Sequence, residues 1–218
     1  MKLYYSPFAC SLAAHIACRE AGLQVTLQRI ELASKRIEGA GDLRSLNPMG
    51  QVPTLITDHG RVLMENSAVL LYIADHARSG QLAPPHLSFA RYELMRWLSF
   101  VASEVHKKCL WPIFAPGTPE PIKVHARELA ALPLQVLERE LAGRDCLLGA
   151  DFSIADAYLW WALTIFPHAQ VSLEPYPSLR AYQARHLERP AVSAAVSFER
   201  AQFKRAFQPD STEVHAIP

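Results

Sequence analysis

The chain has 218 residues, half of them apolar and a fifth charged, with a formal net charge of +1. That is an ordinary globular balance with room for one large domain or two small ones, and it carries neither the basic excess expected of a nucleic-acid partner nor a charged tail. The most apolar run, Ala157 to Phe166, stops at Pro167, far short of the roughly 20 residues a membrane span needs, and Tyr4, Tyr5 and Pro7 interrupt any signal-peptide core, so the expected location is the cytoplasm, with no membrane partner.

Lys2-Leu3-Tyr4-Tyr5 predicts a short strand, and Ser6-Pro7 breaks it. From Ala9 the period changes: Leu12 and Ile16 follow at helical spacing and Gly22 is placed to end a helix. Cys10 and Ser11 therefore fall in a first helical turn. Unpaired backbone N–H groups and the positive helix end favour a thiolate there, and they suit an anionic ligand equally. The alternative is that Cys10 is a small buried apolar residue. Cys18, Cys109 and Cys146 lie in apolar helical surroundings and read as packing residues. Ala13 stands where a dithiol enzyme carries its second cysteine, so redox work at Cys10 would take its partner thiol from outside.

Gln24 to Ile30 alternates polar and apolar, a half-buried strand expected to run parallel to the first. Residues 31–49 read as a polar mobile loop with a short helix near Asp42 to Leu46. Lys35 in it either meets a ligand carboxylate or is a solvated lysine. Asn47-Pro48-Met49-Gly50 is a turn, and Gln51-Val52-Pro53 leads into a strand, Thr54 to Thr57. A cis Pro53 would turn the Val52 backbone outward to pair with an extended peptide, whereas a trans proline would simply start an edge strand. Asp58-His59-Gly60 is a hairpin turn before Val62-Leu63-Met64. Glu65-Asn66-Ser67 opens a helix, Ala68 to His76, with Asn66 or Ser67 as its cap and Glu65 beside its N-terminus, where an acid can hold a ligand ammonium; a pure capping cluster is the alternative.

Residues 1–79 thus read β-α-β then β-β-α, an α/β thioredoxin-like domain with a mixed sheet. Residues 80–87, with two prolines, read as a linker. Residues 88–218 read as an all-α domain. It holds a helix from Ser88 to about Lys108 and a proline-rich break from Trp111 to Pro121. A long helix from Ile122 to Ala142 follows, kinked at Pro133. The capping box Ser153-Ile154-Ala155-Asp156 opens an apolar helix. Two more helices run over 175–186 and 191–204, before a loose tail from Gln208. The nine histidines show no ligand spacing, so no metal is expected.

This chain resembles the cytosolic glutathione transferases, and within them the bacterial beta class. The resemblance rests on Lys2-Leu3-Tyr4-Tyr5-Ser6-Pro7 with Ala9-Cys10-Ser11-Leu12, on Asn47-Pro48 with Gly50-Gln51-Val52-Pro53, and on Glu65 opening a helix. It continues through Ser103-Glu104 with His106-Lys107 and Leu147-Leu148-Gly149 with Ser153-Ile154-Ala155-Asp156. Cys10 with His106 is the class-specific part. The resemblance implies a homodimer whose N-terminal domain binds glutathione as co-substrate and whose helical domain helps bind a small hydrophobic electrophile. It implies Cys10, Ser11 and His106 as catalytic residues. Tyr5, Lys35, Gln51, Val52, Pro53, Glu65, Asn66, Ser67 and Lys107 are the implied glutathione-binding set, with Val52 on the peptide backbone, Glu65 and its helix start on the γ-glutamyl end and Lys35 on the glycyl carboxylate. His106 and Lys107 join Cys10 at the sulfur, which in this class can form a mixed disulfide with the cysteine.

The implied activity is conjugation of glutathione thiolate to hydrophobic electrophiles in detoxification, with thiol–disulfide or peroxidase chemistry as a side activity of the same site. A non-catalytic, partner-binding protein on the same fold is the alternative. Trp111, Phe114 and Phe166 are candidates for the electrophile wall, or core residues. Three positions depart from the class pattern: Phe8 and Asn66 each stand where a small residue is usual, and Met49 replaces a smaller one.

Overall fold

The computed structural model describes residues 1–77 and 82–206, the last two by backbone only. The expected start of the linker, Gly80-Gln81, and the expected loose tail from Gln208 lie outside the described residues. Strand β1 (Lys2–Tyr5) runs parallel to β2 (Thr26–Arg29) across helix α1 (Ser11–Glu20), and antiparallel to β5 (Thr54–Ile56), which pairs antiparallel with β6 (Val62–Leu63). The sheet order is β2-β1-β5-β6, and α2 (Asn66–Asp75) completes the thioredoxin-like unit.

Sequence chemistry accounts for these boundaries. Gly22 adopts φ 65° after α1; its N–H reaches Arg19 C=O and that of Leu23 reaches Cys18 C=O, closing the helix with a left-handed glycine. The segment expected to be loop also holds a small hairpin, β3 (Arg36–Ile37) with β4 (Ala40–Asp42), turned at Gly39 (φ 72°). Neither strand is long enough to show alternation. The short helix there is a 3₁₀ turn, Leu43–Ser45, capped by the Asp42 carboxylate on Arg44 N–H. Neither Asn66 nor Ser67 caps α2: the helix starts at Asn66, and Glu65, at φ 66°, is its N-cap without a side-chain bond.

The second domain is helical: α3 (Phe89–Phe100), a π-helical stretch Val101–Leu110, then α4 (Trp111–Phe114). It continues with α5 (Glu120–Leu129), α6 (Ala131–Leu141), α7 (Ile154–Ile165), α8 (Pro177–Leu187) and α9 (Pro190–Ala206). The proline-rich break is therefore shorter than expected, because Pro112 is tolerated near the start of α4. The long helix breaks at Ala130 rather than at Pro133. Pro133 has no N–H for the Leu129 carbonyl, so the ladder fails one turn before the ring, and Pro133 joins the first turn of α6. The Ser153–Asp156 capping box is present as expected.

Helix α1 lies at the centre of the molecule. Eight of its ten residues are buried, and it packs against α2, α7 and α9. It has no solvent stripe because it is covered from both domains. Leu12, Ile16 and Ala17 join Leu94, Trp97, Leu159 and Ala195 in one core that crosses the domain boundary. Leu82 is buried and its carbonyl accepts from Ile154 N–H, which ties the described end of the linker to α7. Among the described residues no helix is long and apolar enough to cross a membrane.

Candidate active site

The sequence places Cys10 between a strand and a helix, and the structure turns it toward the second domain's cleft. Cys10 is the N-cap of α1 and half-buried. Its thiol donates to the Val52 carbonyl at 3.0 Å, beside the cis Val52–Pro53 peptide. Burial pushes the thiol pKa up to about 12; Lys107 and the N–H groups of Cys10 and Ser11 pull it down, while Glu65 adds to the rise. The pull toward a thiolate expected from the helix start is present, but it is smaller than the effect of burial, and the group present is an S–H donor.

Cys10 lines a cleft of about 1430 Å³ between the domains. Phe8, Lys35, Gln51 and Val52 line it from the N-terminal side; His106, Lys107, Trp111, Phe114 and Trp161 line it from the helical side. The expected aromatic wall is thereby split. Trp111 and Phe114 are exposed in the cleft, whereas Phe166 is wholly buried in the core.

His106 sits in the π-helical stretch, whose wider turn ends where Trp111 N–H bonds to His106 C=O. Its Nδ1 is 2.8 Å from the Tyr158 hydroxyl, and its ring meets Trp161 edge-on with centroids 4.7 Å apart. Burial, and then Lys107, lowers its pKa to about 3, so the ring is neutral at ordinary pH. The Lys107 ammonium lies 4.5 Å over the Trp111 ring.

Three expected site residues turn their side chains elsewhere. The Ser11 hydroxyl is fully buried; it accepts from Ser6 N–H and donates to Ser6 C=O, closing the β1–α1 turn. Only the Ser11 backbone N–H bears on the Cys10 sulfur. Tyr5 is buried against His15 and Phe198, away from the cleft lining, and burial raises its phenol to about 12. Asn66 turns inward as well. Its Nδ2 donates to Cys10 C=O at 3.3 Å and its Oδ1 is buried with no hydrogen-bond partner among the described residues. Ser67 is half-buried and Glu65 exposed at the start of α2.

Lys35 is half-buried, with its pKa lowered first by desolvation and then by Arg44. Its backbone is fixed at both ends, by Lys35 N–H to Glu31 C=O and Leu43 N–H to Lys35 C=O. Gly50 (φ 57°) makes room for it: a Cβ there would stand 3.1 Å from Lys35 Cδ and 3.3 Å from Arg44 Cγ. Phe8, Lys35 and Glu65 are three of the five non-glycine residues with positive φ among those described. Each such backbone costs about 1–3 kcal/mol, and such residues concentrate at functional sites.

Among the described residues one three-ligand cluster has metal-like spacing: Cys146, Asp156 and His186, all buried. The Asp156 oxygens are occupied, Oδ1 by Leu147 N–H and the Tyr182 hydroxyl, Oδ2 by Ser153 N–H and its hydroxyl. That carboxylate is the capping group of α7 and has no lone pair left for a metal.

Sequence reasoning missed Tyr158, Trp161 and Glu199. Glu199 left a signal: with Val192, Ala195 and Val196 it falls on the apolar stripe of α9, a carboxylate where a hydrophobe is expected. Tyr158 and Trp161 left none, because aromatics in an apolar helix read as core.

A thioredoxin-like domain that presents a cysteine across an apolar cleft to a histidine and a lysine of an all-helical domain defines a class of two-domain thiol-handling proteins. Within that class, residues 5–76 match the family model of the glutathione S-transferase N-terminal domain and residues 88–190 that of the C-terminal domain; the chain belongs to the glutathione S-transferase family. It is 40% identical over 199 residues to glutathione S-transferase GstA of Escherichia coli O157:H7, a match covering 91% of this chain and 98% of that protein. The structure of a sphingomonad glutathione S-transferase complexed with glutathione matches with TM-score 0.87 and 44% identity, over 92% of this chain and 99% of that one. A bacterial beta class glutathione S-transferase from Sphingomonas chungbukensis matches with TM-score 0.88 and 41% identity, over 91% and 98% of the two chains.

Proposed function

We propose that this chain conjugates glutathione to apolar electrophiles, and that Cys10, His106 and Lys107 hold the glutathione sulfur as a thiolate. The observation that carries this reading is the convergence of those three side chains, from two domains, on one cleft with Lys35, Gln51 and Val52. Glutathione carries two carboxylates and an ammonium. Lys35 suits the glycyl carboxylate, the α2 N-terminus the γ-glutamyl carboxylate, Glu65 the ammonium and the Val52 backbone the central peptide.

A thiol with a free pKa near 8.5–9 needs donors and positive charge to ionise at neutral pH. The Cys10 S–H, which uses the Val52 carbonyl here, is such a donor once that carbonyl takes a ligand N–H. Tyr158 fixes the second donor. Its hydroxyl stands 2.8 Å from His106 Nδ1 and orients the ring; in the tautomer in which Nδ1 accepts that O–H, the neutral ring keeps its proton on Nε2 as the donor. The Lys107 ammonium supplies charge. In the reaction the thiolate lone pair forms a carbon–sulfur bond, the leaving group departs with its electron pair, and the thiol proton has already passed to solvent. Catalysis comes from proximity and thiolate stabilisation. A non-catalytic, partner-binding role is not favoured by the family match over both domains.

The electrophile end of the cleft is apolar and aromatic, and its charged lining residues among those described are all basic, including Arg180 and Arg200. Apolar electrophiles bearing a carboxylate suit such a lining. A homodimer is proposed as well, supported by the exposed apolar row Phe89, Tyr92 and Met95 on α3, as is a cytoplasmic detoxification role, which fits a thiol-dependent reaction. The test is glutathione calorimetry with turnover of a nitro-activated aryl chloride, sedimentation reporting the dimer. Binding with turnover is the expected result; a chain that neither binds nor turns over is no transferase.

A further inference from the structure

Phe8 lies two residues before Cys10 and holds φ 59°, a left-handed backbone that a bulky L residue keeps only when its surroundings impose it. Both ends of its backbone are held by the helical domain. Its N–H donates to Glu199 Oε2 at 2.8 Å, and its carbonyl accepts from Trp161 Nε1 at 3.0 Å. Glu199 is fully buried on α9, 191 positions along the chain. Its other oxygen is 3.0 Å from His15 Nδ1, and His15 Nε2 accepts from Arg19 Nε at 3.0 Å. Because Arg19 can only donate, the imidazole proton sits on Nδ1 and points at Glu199. Each carboxylate oxygen therefore has one N–H donor, and Arg19 bonds to the far side of the His15 ring. Glu199 is absent from the cleft lining, and its carboxylate bonds to the Phe8 N–H and to His15. A hydrophobe would fill its place on the apolar stripe without the cost of burying a charge.

We propose that Glu199 is the positioning residue of the site. It holds the Phe8 peptide in its left-handed conformation, with Trp161 at the other end, and so fixes the direction in which Cys10 presents its sulfur. The last helix thereby sets the geometry of the first turn of the chain. The inference concerns the thiol itself. The glutathione reading enters only where turnover is measured.

The test is a double-substitution cycle read on Cys10. The alkylation rate of Cys10 by iodoacetamide is measured at one pH, with mass spectrometry assigning the site among the four free cysteines, three of which are buried. Glu199→Gln presents an N–H₂ group to one of two N–H donors and must release one of them. It is expected to speed alkylation at least about fivefold, an effect of about 1 kcal/mol, because the freed turn lets the thiol leave the Val52 carbonyl. Phe8→Gly removes the need for the clamp, since glycine takes positive φ freely. In that background Glu199→Gln is expected to change the rate less than twofold. Turnover with glutathione is expected to move the other way, falling on Glu199→Gln with the electrophile KM unchanged, and to change less than twofold on that substitution in the Phe8→Gly background. An alkylation rate that is unchanged or lower on Glu199→Gln, or that changes by the same factor in both backgrounds, overturns the proposal. If Glu199→Gln does not fold, Trp161→Phe releases the Phe8 carbonyl and carries the same expectation. Absence of glutathione turnover in the parent chain would strike the transferase reading and leave the alkylation cycle intact.

Discussion

Cys10 works as a donor in this account, and that separates it from a cysteine that must ionise. Cys10→Ser keeps a hydrogen on a polar atom and is expected to retain conjugation within a few-fold. Cys10→Ala removes a donor to a charged sulfur, about 1.5–3 kcal/mol, and is expected to lower kcat/KM about 10–100-fold. Both lose any mixed disulfide with glutathione, so paired turnover and mass measurements on the two variants separate conjugation from thiol exchange. Ser11→Ala acts differently, since its hydroxyl closes the turn with Ser6: stability should fall more than thiolate stabilisation. His106 carries a pH signature. Its folded pKa of about 3 lies below the ordinary histidine value of 6.5, so between those values the unfolded chain binds the extra proton. Stability is full above the upper value and is lost as pH falls toward the lower. Denaturant titrations across that window should show the slope, flattened in His106→Asn.

Among the elements, those resting on a local chemical rule were legible in the sequence. The strand–turn–helix around Cys10, the glycine end of α1 and the capping box of α7 each need only a few adjacent residues, and each is present. Asp156→Ala tests the last. It orphans donors from Leu147, Ser153 and Tyr182, and is expected to cost about 3–5 kcal/mol in denaturant unfolding. Elements decided by distant packing were not legible. The π-helical stretch over 101–110 shares its apolar spacing with an α-helix, so nothing local marks the wider turn that carries His106. The α5–α6 break falls a turn before Pro133 because the missing N–H, not the ring, ends the ladder. The site divides in the same way. Cys10, Lys35, Val52, His106 and Lys107 line one cleft, and Ser11 turns in on Ser6 only five residues away, but the inward turn of Tyr5 onto Phe198 and of Asn66 onto the Cys10 carbonyl depends on partners far along the chain.

At the scale of the whole molecule, α1 binds two domains into one core. Its buried face touches α2 on one side and α7 and α9 on the other, so separate unfolding of either domain would expose Leu12 and Ile16. Thermal unfolding followed by far-ultraviolet dichroism and by tryptophan fluorescence, which reports the helical domain, is expected to give coincident transitions. Leu12→Ala should lower both together, by about 2–5 kcal/mol. In the proposed reaction the joined domains ionise the glutathione thiol between them. The measurement closest to it is the thiolate absorbance of glutathione bound to the protein, titrated with pH against the free tripeptide and against His106→Asn. Bound thiol is expected to ionise at least about one unit below the free value, a differential stabilisation of about 1.4 kcal/mol, with part of the shift lost in the variant. Glutathione that binds with the thiol pKa of free solution would contradict that mechanism.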